Sequence, residues 1–75
     1  MTTKQYLQAA AQNLSDAVGN ISMAQAGSTA DPNVTTDVDN ALIKLAETER
    51  AGTAGSSTAN QVAISALATS IPDAA

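Results

Sequence analysis

The chain has 75 residues, a net charge of −4, three cationic side chains and neither histidine nor cysteine. This length supports one domain with a small core, and the two missing residue types exclude disulfides, thiol chemistry, imidazole catalysis and the commonest transition-metal sites. Three scattered cations cannot replace the counterions of a nucleic acid or hold an anionic membrane surface, so neither is expected as a partner. We therefore expect a single domain over residues 1–75 that is not an enzyme, uses no metal or other cofactor and has no small-molecule substrate.

The first predicted helix covers about residues 3–26. Thr2 and Gln5 have the spacing of a capping box just ahead of it. Gly19 lowers the helix propensity of its middle, but the apolar pattern keeps its phase across the glycine. The helix is therefore expected to continue through Gly19 and to stop near Gly27.

Apolar residues recur along this helix as the a and d positions of three heptads, with large residues in one series and alanines in the other. We call this stripe the heptad seam. The predicted interaction residues are the seam and two flanking positions: Tyr6, Leu7, Ala10, Leu14, Ala17, Val18, Ile21 and Ala24. Two interpretations stay open, because a stripe that pairs between chains looks the same as one that closes an intramolecular bundle. Tyr6 is expected as a half-buried ring at the edge of a bundle, with an anchor in a partner's pocket as the alternative.

A loop is predicted over residues 27–35, because Asp31-Pro32-Asn33 is turn chemistry and Pro32 does not allow a helix to pass. The second helix is predicted over about 36–51. Thr36 can cap it, and acidic residues in its first turn suit the helix dipole. Its apolar face is made of Val38, Ala41, Leu42, Leu45 and Ala46.

A glycine- and serine-rich linker is predicted over 51–57 and a third helix over about 58–70, ended by Pro72. No alternating pattern indicates a strand. The sequence thus predicts an all-α fold, a small three-helix arrangement with a long N-terminal helix, two shorter helices and little or no β-structure.

Large aliphatic side chains are few: five Leu, four Ile and four Val, with Tyr6 as the only aromatic. Much of the remaining apolar content is alanine, which buries little area. Small domains with such cores usually need a disulfide, a metal or a partner. Since the first two are excluded, the expected partner is the chain itself, a larger protein assembly, or both.

Abundant Ala, Ser, Thr and Gly, scarce Lys and Arg and a small core resemble the composition of small accessory proteins of tailed-phage virions, such as capsid decoration, joining or tail-associated subunits. This likeness is one of composition and rests on no motif. It implies a non-enzymatic structural or assembly protein present in many copies. The alternative is a soluble helical module (an adaptor, chaperone or inhibitor) that binds one protein partner.

Residues 1–5 lack the charged-then-apolar layout of a signal peptide, and no apolar run approaches the roughly 18 residues of a membrane span. The expectation is synthesis in the cytoplasm and, for an assembly subunit, incorporation into a virion.

Overall fold

A computed structural model describes residues 1–52 and 58–73. Within these ranges the chain forms helices, turns and loops and no strand, which confirms the all-α fold class. The four α-helices are α1 (Thr3–Gln12), α2 (Ala17–Ser28), α3 (Thr36–Arg50) and α4 (Thr58–Thr69). None of them is long and apolar enough to cross a membrane.

The single long helix predicted over 3–26 is wrong in one respect, because the structure divides this span into α1 and α2. Asn13 is extended, and its side-chain oxygen accepts hydrogen bonds from the Ser15 backbone N–H at 3.2 Å and from Ser15 Oγ at 2.6 Å. Its amide donates to Asp16 Oδ2 at 2.8 Å. Short polar side chains that bond the nearby backbone compete with helix formation. They stabilise the short 3₁₀ turn Leu14–Asp16 at the point where the heptad pattern predicted continuity.

The other features predicted for this span are present. Thr2 and Gln5 form the reciprocal capping box at the start of α1. Helix α2 passes through Gly19 as expected and ends at Ser28, one residue beyond Gly27. The two helices form an antiparallel hairpin, because Gly27 at the end of α2 lies beside Thr3 at the start of α1.

The loop and the caps of α3 follow the predicted chemistry with a shift of one residue. Asp31 Oδ1 accepts from the Asn33 N–H at 2.9 Å in the turn around Pro32. The cap is Thr35 rather than Thr36, and its Oγ1 accepts from the Val38 N–H at 3.3 Å. Of the predicted linker 51–57, only Ala51 and Gly52 belong to the described residues.

Helix α4 packs antiparallel against α1, and both of its ends are held by α1 side chains or backbone. Lys4 Nζ donates to the carbonyls of Ala68 at 3.1 Å and Ile71 at 2.6 Å, where α4 ends. Near the start of α4, Gln61 Nε2 donates to the Ala11 carbonyl at 2.8 Å. The ammonium at the C-terminal carbonyls of α4 also complements the negative end of its helix dipole.

One hydrophobic core joins all four helices. Helix α1 lies between α2 and α4, and α2 also packs against α3. The described chain measures 31 × 19 × 18 Å along its principal axes. Among residues 1–52 and 58–73, the core is made of twelve buried residues: Leu7, Ala10, Ala11, Ala17, Ile21, Ala24, Val38, Leu42, Ala46, Ile64, Ala68 and Ile71.

Candidate functional site, an apolar groove at one end of the bundle

Most of the predicted interaction residues lie inside the chain. Five of the eight have no exposed surface, and they meet across the α1–α2 hairpin. Because the turn at 13–16 folds the two halves of the heptad seam against each other, the seam pairs within the chain. These five side chains therefore present no surface to a partner of the folded chain: Leu7, Ala10, Ala17, Ile21 and Ala24.

The other three predicted interaction residues reach the surface to different extents. Leu14 and Tyr6 are half-buried and pack against the edge of the core. Val18 is exposed on α2. Of the eight, only Tyr6 lines an open depression among the described residues, so the half-buried ring that the sequence predicted lies beside an open surface.

That depression is a groove of about 510 Å³ at the end of the bundle where α1 begins and α2 ends. The hairpin brings these two helix ends together, and the loop before α3 closes the third side. We call it the end groove. Its lining residues are Met1, Thr2, Thr3, Tyr6, Met23, Gly27, Ala30, Asp31, Pro32 and Asn33.

The end groove is mainly apolar and contains the two methionines of the chain. Met1 is 70% and Met23 51% exposed, so both side chains remain largely in water. Methionine is flexible and polarisable, and surfaces that bind other proteins often use it. Sequence reasoning missed Met23 because it lies off the heptad seam. Only the folded hairpin places it beside Tyr6 and Pro32.

A buried hydroxyl lies in the wall of the end groove. Thr3 is only 3% exposed, and its Oγ1 has no hydrogen-bond partner among the described residues. A Cβ atom added to Gly27 would lie 3.6 Å from this oxygen, in ordinary van der Waals contact. Gly27 therefore keeps the wall open beside Thr3.

The end of the bundle that holds this groove is acidic. Asp31 lines the groove, Asp37 and Asp39 lie in the first turn of α3, and Asp73 follows α4. Lys4 is the one cationic side chain in this region among residues 1–52 and 58–73, and it is held by the end of α4 and by Asp73 at 3.6 Å. The N-terminal ammonium of Met1 is a second positive group at this end, and Asp39 accepts a hydrogen bond from Ser28 Oγ.

Glu49 is a buried acid near the opposite end of α3. Burial raises the pKa of its carboxyl above the ordinary value of 4.5, and its Oε1 has no hydrogen-bond partner in the described part of the chain. It does not line the groove. In the two described ranges, no group of three or more acidic side chains is placed to hold a metal ion.

The arrangement is suited to holding an apolar side chain of another protein, with acidic groups beside it. Comparison of the chain with protein-family models, with curated proteins and with solved structures gave no significant match.

Proposed function

We propose that the chain is a non-enzymatic structural protein, a multi-copy accessory subunit of a larger particle such as a phage virion. The observation that carries the proposal is the end groove, where two exposed methionines and Tyr6 form an apolar surface on a chain without histidine or cysteine. Exposed apolar side chains that line one groove are available to pack against an apolar side chain of another protein.

The internal pairing of the heptad seam changes how such a subunit would dock. Because Leu7 and Ile21 fill the chain's own core, the subunit would enter an assembly as a folded unit rather than as an unpaired helix. The contact then falls on Tyr6 and Met23, at the rim of the hairpin, and not on the seam. A folded subunit loses less conformational entropy on docking, so a small groove can suffice.

A second candidate is a helical module that binds one protein partner as an adaptor, chaperone or inhibitor. The modest size of the end groove favours it, because a depression of about 510 Å³ accepts one or two side chains of a single partner. The two candidates differ in stoichiometry. An assembly subunit is repeated at a fixed copy number, whereas a module forms one defined complex.

The test is native isolation of particles from the source cells, with quantitative mass spectrometry of the copy number of this chain. We expect several copies per particle at a constant ratio to the major component. Met23→Glu should abolish incorporation because it puts a charge on the apolar surface of the groove. The matched control is Val62→Glu on α4, where the parent side chain is 64% exposed and does not line the groove.

Two outcomes would contradict the proposal. One is recovery of the chain only in a one-to-one complex, which favours the second candidate. The other is equal incorporation of both variants, which removes the groove as the contact. Far-UV circular dichroism of each variant shows whether the helices are retained, so that loss of incorporation can be separated from loss of folding.

A further inference from the structure

We infer that α4 is a detachable helix, which leaves α1 as a unit while α1, α2 and α3 stay folded, and that the ammonium of Lys4 controls how often it leaves. The inference goes beyond the proposed function, because it concerns the contact between α1 and α4 and not the end groove. Detachment of this kind is a local opening, in which one part of a native protein exposes its amides while the rest keeps its structure.

The two outer helices of the bundle differ in what stabilises their ends. Helix α3 packs mainly against α2, and its own residues stabilise it: Thr35 caps its first turn, which also carries two aspartates, and Arg50 lies in its last turn. Helix α4 packs mainly against α1 and has neither an acidic residue in its first turn nor a basic residue in its last turn. A helix of twelve residues is marginal on its own in water. Helix α4 therefore depends on α1 for its stability.

At the C-terminal end of α4, Lys4 of α1 takes the place of the missing basic residue. In a continuing helix the Ala68 carbonyl would accept from the N–H of residue 72, but Pro72 has no N–H. Within its own segment this carbonyl accepts from the Ile71 N–H at 3.2 Å, and Lys4 Nζ supplies a second donor at 3.1 Å. Lys4 also donates to the Ile71 carbonyl at 2.6 Å and lies 3.6 Å from Asp73 Oδ1. The three N–H donors of this ammonium therefore have three oxygens beside them.

The contact of Lys4 is stronger than the polar contact near the other end of α4. There, Gln61 Nε2 donates to the carbonyl of Ala11 at 2.8 Å, and both groups are neutral. Hydrogen bonds with an ionised donor are roughly twice as strong as bonds between neutral groups. The Lys4 side chain is only 17% exposed, so water and salt screen its bonds less than those of a fully exposed lysine. Lys4 is therefore the main polar contribution to the docking of α4.

The position of α4 allows it to leave without breaking the rest of the core. Its departure exposes three buried side chains of its own segment, those of Ile64, Ala68 and Ile71. The hairpin contacts between α1 and α2 remain, and α3 keeps its contacts with α2. The open chain then presents two isoleucines that the closed chain buries, on a segment without charged residues. Detachment thus creates an apolar surface that the closed chain does not have.

Hydrogen–deuterium exchange of the full chain, followed by mass spectrometry of peptides from each helix, tests the inference. In the parent chain the amides of α4 should exchange faster than those of α2, because they open locally as well as with the whole chain. Lys4→Met keeps the aliphatic stem and removes the ammonium. It should speed exchange in α4 by roughly tenfold to a hundredfold, as expected for the loss of hydrogen bonds to a charged group, and leave exchange in α3 nearly unchanged.

Three further variants serve as controls for this measurement. Lys44→Met removes the same charge from an exposed side chain on α3 and should leave α4 unchanged. Lys4→Arg retains the positive charge and should bring exchange in α4 most of the way back to the parent rate. Gln61→Met removes the neutral hydrogen bond near the start of α4 and should act in the same direction as Lys4→Met, with a smaller effect.

Three outcomes would overturn the inference. One is equal acceleration of all four helices in Lys4→Met, which would mean that the chain opens only as a whole. Another is an α4 that does not respond to Lys4→Met, or that responds equally to Lys44→Met. The third is loss of the whole helical signal of Lys4→Met in far-UV circular dichroism, because α1, α2 and α3 would then not stay folded without the contact. None of these outcomes bears on incorporation into particles, so the proposed function is tested separately.

Discussion

The heptad seam and the end groove belong to the same helical hairpin, but residues of the seam are buried and the methionines of the groove are exposed. In the seam, Leu7 and Ile21 have no exposed surface and close the core between α1 and α2. In the groove, Met1 and Met23 come from the same two segments and remain largely in water. The difference shows that the regular apolar stripe of this small chain is buried in its own core. The surface left for partners consists of apolar residues outside the stripe.

The largest expected effect comes from breaking the seam. Ile21→Ala removes a fully buried side chain from the contact between the two helices. We expect a loss of about 2–5 kcal/mol in the free energy of unfolding, enough to unfold much of so small a domain. Urea denaturation followed by circular dichroism measures it.

The matched control for this change is Val18→Ala in the same helix, where the side chain is exposed and the loss should stay below about 0.5 kcal/mol. Equal losses for the two variants would mean that α2 does not bury Ile21 against α1, and the comparison of seam with groove would fail.

A smaller effect on the free energy of unfolding is expected at Glu49, a buried acid that does not line the end groove. Because burial raises its pKa above 4.5, the folded chain binds this proton more tightly than the unfolded chain does. The stability contributed by this group is therefore complete below pH 4.5 and is lost as the pH rises through the folded pKa. At pH 7, Glu49→Gln should stabilise the fold by about 1 kcal/mol, because no charge is then buried.

Thermal unfolding between pH 3 and pH 8 tests this prediction. The advantage of Glu49→Gln should shrink as the pH falls through the raised folded pKa toward 4.5, and it should be absent below 4.5. Glu47→Gln, an exposed acid two residues earlier in α3, makes the same change in net charge and should alter stability little. An equal response of both variants would show that net charge, rather than burial of Glu49, is responsible.

The smallest expected effect on stability comes from replacing each of two glycines of α2 by alanine, only one of which lines the end groove. Gly19 has open space around it and Gly27 has Thr3 beside it, and both lie within α2. Gly19→Ala should stabilise the chain by about 0.5–1 kcal/mol through helix propensity, and Gly27→Ala by less because it lies in the last turn.

Only Gly27→Ala should change the shape of the groove, because its methyl group would occupy the space beside Thr3 in the groove wall. Incorporation of the chain into native particles should therefore change for Gly27→Ala and not for Gly19→Ala. The reverse pattern would place the contact elsewhere on the molecule.

Much of the local structure was predictable because it depends on neighbours in the chain. The capping box of Thr2 and Gln5 and the turn at Pro32 follow from short-range chemistry, and the passage of a helix through Gly19 follows from the phase of the apolar pattern. The break at Asn13 was missed although its signal was present, since Asn13, Ser15 and Asp16 are all residues that bond the nearby backbone. A regular heptad spacing outweighed that signal in the prediction. Met23 gave no signal, because an apolar residue on an outer helix face is common.

By itself, the sequence determined the helical class, the positions of most helix ends and the absence of histidine and cysteine chemistry. Propensity, capping and side-chain type are local properties, so they can be read without knowing what packs against what. Only the tertiary structure decided that the heptad seam closes within the chain. It alone brought Tyr6, Met23 and Pro32 into one groove and left Oε1 of the buried Glu49 without a hydrogen-bond partner among the described residues. These outcomes depend on contacts between segments far apart in the chain. The free energy of such a contact depends on both segments and cannot be predicted from either one alone.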